Sequence, residues 1–325
     1  MSKVSDANAI QNDSPGNQNP PGALLCSKGV KNRSGFKFNG LNEYTISDES
    51  FAFSPEKTFE CGQCFRFNRT ASGSYEGVLD GRLVSVSGKN GYAKVTVIEG
   101  PCDLDFSGYL DSFFDVSTDY SKLSSELSAK DDVMKEAVTA SFGIRLLRQD
   151  FFETVISFIV SANNNIPRIK KCIESICLNY GKNIGGKAFA FPVAETLSKV
   201  SGEELAKVCR VGYRGPYIAN TARLFAEGKA DFEKIKALSL SDKYKTVLSF
   251  PGVGPKVLNC IMLFSGLDRS AFPVDVWVER MMNELYGLKD TDRNKLEKYG
   301  KEYFGDNAGL AQQYLFYYIR QIHGK

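Results

Sequence analysis

The hydrophobic pattern of this chain changes period partway along, and that change limits the folds open to it. From Gly35 to about Gly100 the large apolar residues fall in short runs that alternate with polar ones. Phe36, Phe38, Tyr44, Phe59, Phe65, Phe67, Val78, Leu83, Val84, Val86, Val95 and Val97 lie between Gly, Asn, Asp and Ser turns. Period two means side chains on alternate faces, so this stretch is expected to form an antiparallel sheet. Tyr75–Leu79 and Arg82–Val86 flank Asp80-Gly81, the dipeptide that suits a two-residue hairpin turn. From about Tyr120 onward the spacing becomes helical. Phe151–Val160 reads as a buried central helix, too short to span a membrane, and Ile166–Tyr180 places Ile169, Cys172, Ile173 and Ile176 on one face. Ser201-Gly202-Glu203-Glu204 is a capping box, and Ile218–Glu227, Val276–Tyr286 and Leu310–Gln321 supply further helices.

An α+β chain follows, with an N-terminal antiparallel β-rich domain over residues 35–130 and an all-helical domain over residues 131–325. Residues 1–34 are rich in Asn, Ser, Gly, Pro and Gln and poor in large apolar groups, so a disordered tail is expected there. No run of about eighteen apolar residues appears, and no charged segment followed by an apolar core opens the chain, so neither a membrane span nor export is expected. The net charge of +3 permits a nucleic-acid partner without requiring one.

Cysteine and histidine usage narrows the chemistry. The 8 cysteines form no regular frame and are expected to be reduced, buried thiols. Cys61-Gly62-Gln63-Cys64 is a lone C-x-x-C, with no second pair or histidine pair to complete a metal site. The sole histidine is His323, beside the C-terminus, which leaves Lys, Asp, Glu, Tyr or Cys to carry any catalysis.

Phe250-Pro251-Gly252-Val253-Gly254-Pro255-Lys256-Val257-Leu258-Asn259-Cys260 reads as the turn of a helix–hairpin–helix unit over about residues 242–265. Such a turn aims unpaired N–H groups at an anion, most simply a phosphate; equally, it can be an ordinary corner in which Gly permits the turn and Pro starts the helix. Lys256 stands at the positive end of the helix dipole, where a cation is unwelcome. That field favours the free amine, a nucleophile able to form a Schiff base, while the plainer alternative is a solvated lysine facing a phosphate. Asp275 opens the next helix as an N-cap, a complete role in itself unless it also faces Lys256. Asn163-Asn164-Asn165 is expected to cap the junction of two helices, and Arg168, Tyr213 and Arg214 place cations and an aromatic ring in loops, a set suited to unstacked bases and phosphates.

The hairpin together with Pro273-Val274-Asp275 resembles the signature of the helix–hairpin–helix DNA glycosylase superfamily. Gly62-Gln63-Cys64-Phe65-Arg66, Arg145-Leu146-Leu147-Arg148-Gln149-Asp150, Ser161 to Arg168, Gly212-Tyr213-Arg214 and Ala311 to Phe316 extend that resemblance over about residues 35–323, to the 8-oxoguanine DNA glycosylase/AP-lyase family. The resemblance implies that Lys256 attacks the sugar and that Asp275 stabilises the positive charge developing on it. It implies that Cys260 and Phe316 flank the extruded base, Gln312 reads its Watson–Crick edge, and the carbonyl of Gly62 accepts from the N7–H of the lesion. Asn163, Arg168 and Arg214 would hold the widowed cytosine, and Tyr213 would wedge into the stack. Gly252, Val253 and Gly254 would grip a phosphate, with a monovalent cation at the hairpin carbonyls and no other metal or cofactor. The implied partner is damaged double-stranded DNA, with no membrane, bound by a monomer acting inside the cell on the genome.

Two positions depart from the family pattern. Trp277 stands where the family often carries a histidine near the 5′ phosphate, and Cys64 stands where a small hydroxyl is usual. Two other functions fit parts of the chain. A monofunctional alkylpurine DNA glycosylase would use Asp275 to activate water and would need no lysine. A non-catalytic helix–hairpin–helix DNA-binding protein would use the phosphate grip alone.

Overall fold

The alternating segment folds into a six-stranded antiparallel sheet in this computed structural model, which describes residues 35–289 and 291–323. The tail expected over residues 1–34 lies outside the described residues. The strands are β1 (Lys37–Phe38), β2 (Glu43–Ser47), β3 (Asn68–Arg69), β4 (Tyr75–Leu79), β5 (Arg82–Lys89) and β6 (Tyr92–Glu99), ordered β1-β2-β6-β5-β4-β3. Val84, Val86, Val95 and Val97 point to one face and are buried, as period two requires. The β4–β5 hairpin pairs Leu79 with Arg82, and Asp80 (φ 47°) and Gly81 (φ 70°) are both left-handed, the turn whose twist matches its strands.

Two expectations about this segment need correction. Phe59 lies on a helix, Pro55–Glu60, rather than a strand; Ser54 caps that helix and Pro55 opens it. A Ser-Pro start signal outweighs a short apolar alternation, which cannot by itself tell a strand from a helix. The helical period also begins earlier than Tyr120. The helix Asp105–Phe113 lays Phe106, Leu110 and Phe113 against the sheet, giving a core with Tyr44, Phe53, Phe59, Val84 and Val95.

Beyond the sheet the chain is helical but not all-helical as expected, since Asn183–Gly185 and Ala188–Phe189 pair as a short antiparallel hairpin. The helix Phe151–Ser161 runs through the centre of this region with every residue except Phe152 and Glu153 buried. Pro255–Phe264 packs on it, and Ala308–Ile322 packs on Asp132–Ser141 and Val276–Tyr286. The helices at 132–141 and 293–304 were not singled out from the spacing, although each buries one face, through Met134, Ala137 and Val138 in the first and Leu296, Gly300 and Phe304 in the second. No helix among the described residues is long and apolar enough to cross a membrane.

A polar seam ties the two cores together. Arg145 is completely buried, and its guanidinium donates to the carbonyls of Phe114 (2.6 Å), Ala52 (3.0 Å) and Asp115 (2.7 Å). The rings of Phe51 and Tyr120 lie 4.3 and 4.2 Å from its Cζ on the other contacts. Gln63, also fully buried, donates to the carbonyls of Thr58 (2.9 Å) and Arg145 (2.8 Å) and accepts from the Leu147 N–H (2.9 Å). Arg145 supplies the partners of the Phe114 and Ala52 carbonyls and Gln63 that of the Leu147 N–H, groups that would otherwise be buried without one.

Two outcomes are expected from this packing. Arg145→Met keeps much of the volume but leaves the Phe114 and Ala52 carbonyls unpaired, while the Asp115 carbonyl keeps the Thr118 N–H at 3.1 Å, so urea denaturation should show a loss of about 3–5 kcal/mol. Burial pushes the Glu153 carboxyl up to about 7, with Arg66 at 3.7 Å drawing it back. An unfolded Glu loses its proton near 4.5, so folding takes up a proton between these values and stability falls as pH rises through that window. Glu153→Gln should therefore gain on the parent by about 2–3 kcal/mol between about pH 4.5 and 7.5, read from denaturation curves at the two pH values.

Candidate active site

The helix–hairpin–helix unit forms where the Gly-Pro pattern places it, between the helices Leu240–Leu248 and Pro255–Phe264. Gly252 is left-handed (φ 82°), and a methyl group on it would come within 2.8 Å of the Tyr217 side chain, so both backbone and space demand glycine. Thr221 pins the turn by donating from Oγ1 to the Pro251 carbonyl at 3.1 Å. Gly254 is the N-cap, Pro255 opens the helix, and no side chain caps its first turn. The N–H groups of Lys256 and Val257 therefore face outward at the positive end of the dipole, an arrangement that suits an anion.

Lys256 is half-buried, with its Nζ 3.4 Å from Ser161 Oγ and 5.6 Å from the centre of the Phe158 ring. Ser161 donates its own proton to the Phe158 carbonyl at 2.8 Å, which leaves the hydroxyl lone pairs turned to the amine. One turn along, Cys260 is 3% exposed. Burial raises its thiol, the charge of Lys256 lowers it, and the charge of Asp275 raises it, so both groups act on the same sulfur. Asp275 caps Val276–Tyr286 with Oδ1, which accepts from the N–H groups of Trp277 (2.9 Å) and Val278 (3.0 Å). Its other oxygen accepts no hydrogen bond among the described residues. The fold thus brings Lys256 and Asp275 into one locality around the Cys260 sulfur.

A second group comes from distant parts of the chain. Gly62 is left-handed (φ 78°), and a methyl placed on it would lie 3.5 Å from Ile166 Cδ1 and 3.6 Å from Phe316 Cε1. Gln63 holds this loop through the seam described above, with the Gln149 amide also donating to its carbonyl at 2.7 Å. Gln312 lies one turn before Phe316 on Ala308–Ile322 and is 3% exposed; its Oε1 accepts from Gln313 Nε2 at 2.7 Å. The turn from Ser161 to Ile166 joins the two groups, since Ser161 touches Lys256 and Ile166 faces Gly62.

The three asparagines cap the junction as expected. Asn164 donates to the Val160 carbonyl (3.1 Å), Asn165 accepts from the Arg168 N–H (3.0 Å), and Asn163 is left-handed (φ 48°) and exposed. Asn163 Nδ2 lies 3.4 Å from the hydroxyl of Tyr213, whose ring is 57% exposed and edge-on to Tyr217 at 6.5 Å. Arg168 is exposed and acts on the Cys172 thiol, as does Arg214.

Arg214 differs from the loop cation expected of it. It is only 4% exposed, and its guanidinium donates to the carbonyls of Ala162 (Nε, 2.9 Å, and Nη2), Val211 (3.1 Å) and Asn163 (3.1 Å). Those four bonds leave one of the five guanidinium N–H groups. The short helix Gly212–Arg214, entered through left-handed Gly212 (φ 60°), turns the side chain inward. Local sequence carries no signal for that turn beyond the glycine.

Trp277 is half-buried between Arg280, whose Cζ lies 5.2 Å from its ring, and His323, 6.3 Å away between ring centres. His323 Nε2 is in turn 3.0 Å from Glu284 Oε2. Cys64 is buried, which raises its thiol. Ser161, Phe158 and Ile166 were not singled out from the sequence. Each looks like ordinary helix core there, and only the packing of helices far apart in the chain sets them beside Lys256 and Gly62.

Residues 45–155 match the family described as 8-oxoguanine DNA glycosylase, N-terminal domain, and residues 156–305 match the HhH-GPD superfamily base excision DNA repair protein family. The chain is similar to N-glycosylase/DNA lyase OGG1 of Arabidopsis thaliana, at 33% identity over 80% of this chain and 75% of that protein. It is also similar in structure to the 8-oxoguanine glycosylase/lyase of Clostridium acetobutylicum in complex with double-stranded DNA containing cytosine opposite 8-oxoG. That likeness has a TM-score of 0.81 and 36% identity, and covers 89% of this chain and 97% of the other. MBOgg1 in complex with a low affinity DNA ligand gives a TM-score of 0.82 and 37% identity, over 89% of this chain and 99% of the other. The family matches take in the sheet and the helical region in turn, and the plant relative extends over most of both, so the chain belongs to the 8-oxoguanine DNA glycosylase/lyase family.

Proposed function

We propose that this chain is a bifunctional DNA repair enzyme that excises 8-oxoguanine from duplex DNA and then cleaves the strand. The observation that carries this reading is the half-buried Lys256 at an uncapped helix start, with Asp275 and Cys260 gathered beside it. In this reading the Lys256 amine attacks C1′ and the C1′–N9 bond breaks, its electron pair leaving with the base, which takes up a proton. Asp275 stabilises the positive charge that develops on the sugar as the bond stretches. Ring opening gives an iminium, which acidifies the C2′ hydrogens. Loss of one of them expels the 3′ phosphate by β-elimination, and water then releases the lysine. Atoms and electrons balance without a metal or a redox cofactor.

The remaining residues position the substrate. Enzymes that act on a base take it out of the stack, and the family named here is of that kind. Cys260 and Phe316 flank the base, Gln312 meets its Watson–Crick edge, and the Gly62 carbonyl accepts from N7–H, a donor that guanine lacks. A site built around one hydrogen bond strongly penalises a ligand without it. Asn163, Arg168 and the remaining N–H of Arg214 hold the cytosine left behind, while Tyr213 wedges into the gap. Gly252, Val253 and Gly254 hold a backbone phosphate, with a monovalent cation at the hairpin carbonyls. The N-terminal part, residues 35–130, contributes Gly62, and the helical part, residues 131–325, contributes the rest. The enzyme acts on genomic DNA as a monomer.

Borohydride reduction on a duplex with one 8-oxoguanine opposite cytosine tests the chemistry. The parent chain should give a covalent adduct, and Lys256→Gln should abolish it. Base release without adduct or strand cleavage would instead show a monofunctional glycosylase. Gln312→Ala should lower the excision rate of 8-oxoguanine about tenfold or more while changing affinity for undamaged duplex by less than about twofold. Equal losses in both measurements would remove its assigned role.

A further inference from the structure

Gln313 has no part in the reactions above, yet it is 3% exposed and its amide is aimed at Gln312. A glutamine amide has nearly the same shape after a half-turn about its last torsion, which exchanges its acceptor with its donors. A free Gln312 could therefore present either order of donor and acceptor to a base. The two purine edges differ in that order: guanine-type bases offer O6 as acceptor and N1–H as donor, whereas adenine-type bases offer N6–H as donor and N1 as acceptor. A base entering in one sense would be read as one type or the other according to how the amide stands.

The structure removes that ambiguity. Gln313 Nε2 donates to Gln312 Oε1 at 2.7 Å, so a half-turn of Gln312 alone would set donor against donor. Turning both amides would keep one hydrogen bond but seal the NH2 group of Gln313, with two donors, where its Oε1 now lies sealed without a partner. A buried acceptor without a partner is better tolerated than buried donors without one. Gln312 Nε2 makes no hydrogen bond among the described residues and is not sealed, so it is the end open to a ligand. The amide then offers a donor and the second lone pair of Oε1, a complement to O6 and N1–H.

We infer that Gln313 is a positioning residue that pins the Gln312 amide and so makes the site select guanine-type over adenine-type oxidised purines. This rests on the reading that Gln312 meets the Watson–Crick edge. It goes beyond that reading by naming what sets the direction of the amide and which competing lesion is refused.

Single-turnover base release from duplexes carrying 8-oxoguanine or 8-oxoadenine opposite cytosine tests it. Both lesions carry N7–H and the C8 carbonyl, so only the Watson–Crick edge differs. Gln313→Met keeps the volume without the donor, and Gln313→Ala serves if that variant does not fold. In either, the ratio of 8-oxoguanine to 8-oxoadenine rates should fall about tenfold, the discrimination carried by one hydrogen bond. Gln313→Glu, which can only accept from Gln312 when ionised, should lower the ratio further. A merely structural role would slow both substrates alike; a ratio within about twofold of the parent in a folded variant overturns the inference. If the parent releases 8-oxoguanine selectively but Gln312→Ala leaves that selectivity unchanged, the reading of Gln312 itself is overturned, and this inference with it.

Discussion

The site depends on a buried polar seam between the sheet core and the helical core. Arg145 and Gln63 have no exposed surface, and each is spent on backbone groups from loops of different origin. Apolar packing alone would leave those loops free to slide, because hydrophobic contact is not directional. Hydrogen bonds to named carbonyls are directional, and a buried group deprived of one carries a penalty. The seam therefore fixes where the Gly62 loop stands, and Gly62 meets Phe316 and Ile166 as a consequence. An element of the sheet half and two elements of the helical half thus share one wall without any strand or helix running between them.

Around Lys256 the constraint is of another kind. Gly252 lies against Tyr217 and the first helical turn goes uncapped, the arrangement that the proposed phosphate grip calls for. That arrangement places a lysine at the positive end of a helix, where its charge gains nothing from the dipole. The surroundings supply an acceptor at Ser161, reached from another helix, and Asp275 comes from a third helix to act on the same Cys260 sulfur as Lys256 does. Tyr217 is edge-on to Tyr213, which is itself beside Asn163, so a line of contacts runs from the hairpin to the asparagine junction.

Much of the fold was legible in the chain because its signals are local. The β4–β5 hairpin, the helix Ile166–Tyr180, the Ser201 half of the expected capping box and the Asp275 cap all arise from residues within a few positions of one another. The Glu204 carboxylate, by contrast, accepts from Tyr180 instead of closing the box. Phe59 was misread because a six-residue helix shows less than two turns of its period. The burial of Arg214 left no sign in the sequence because its direction is set by the carbonyls of Ala162 and Asn163, some fifty residues away in the chain. Ser161 gave no sign of a role because a serine at the end of an apolar helix is usually explained by its own turn, and here it does bond within that turn as well.

By itself the sequence determined the order of sheet and helices, the hairpin with its lysine, the asparagine junction and the family to which these motifs belong. Periodicity, turn chemistry and capping are short-range, and they are written into neighbouring residues. Only the tertiary structure decided that Lys256, Cys260 and Asp275 share one locality, that Gly62 faces Phe316, that Arg214 turns inward and that Gln313 holds the amide of Gln312. Those are matters of distance and direction between side chains on different elements, or of how one amide stands against its neighbour inside a sealed core. Residue identity leaves both undetermined. The lysine in its awkward place was visible in the chain; the groups that make the place useful were not.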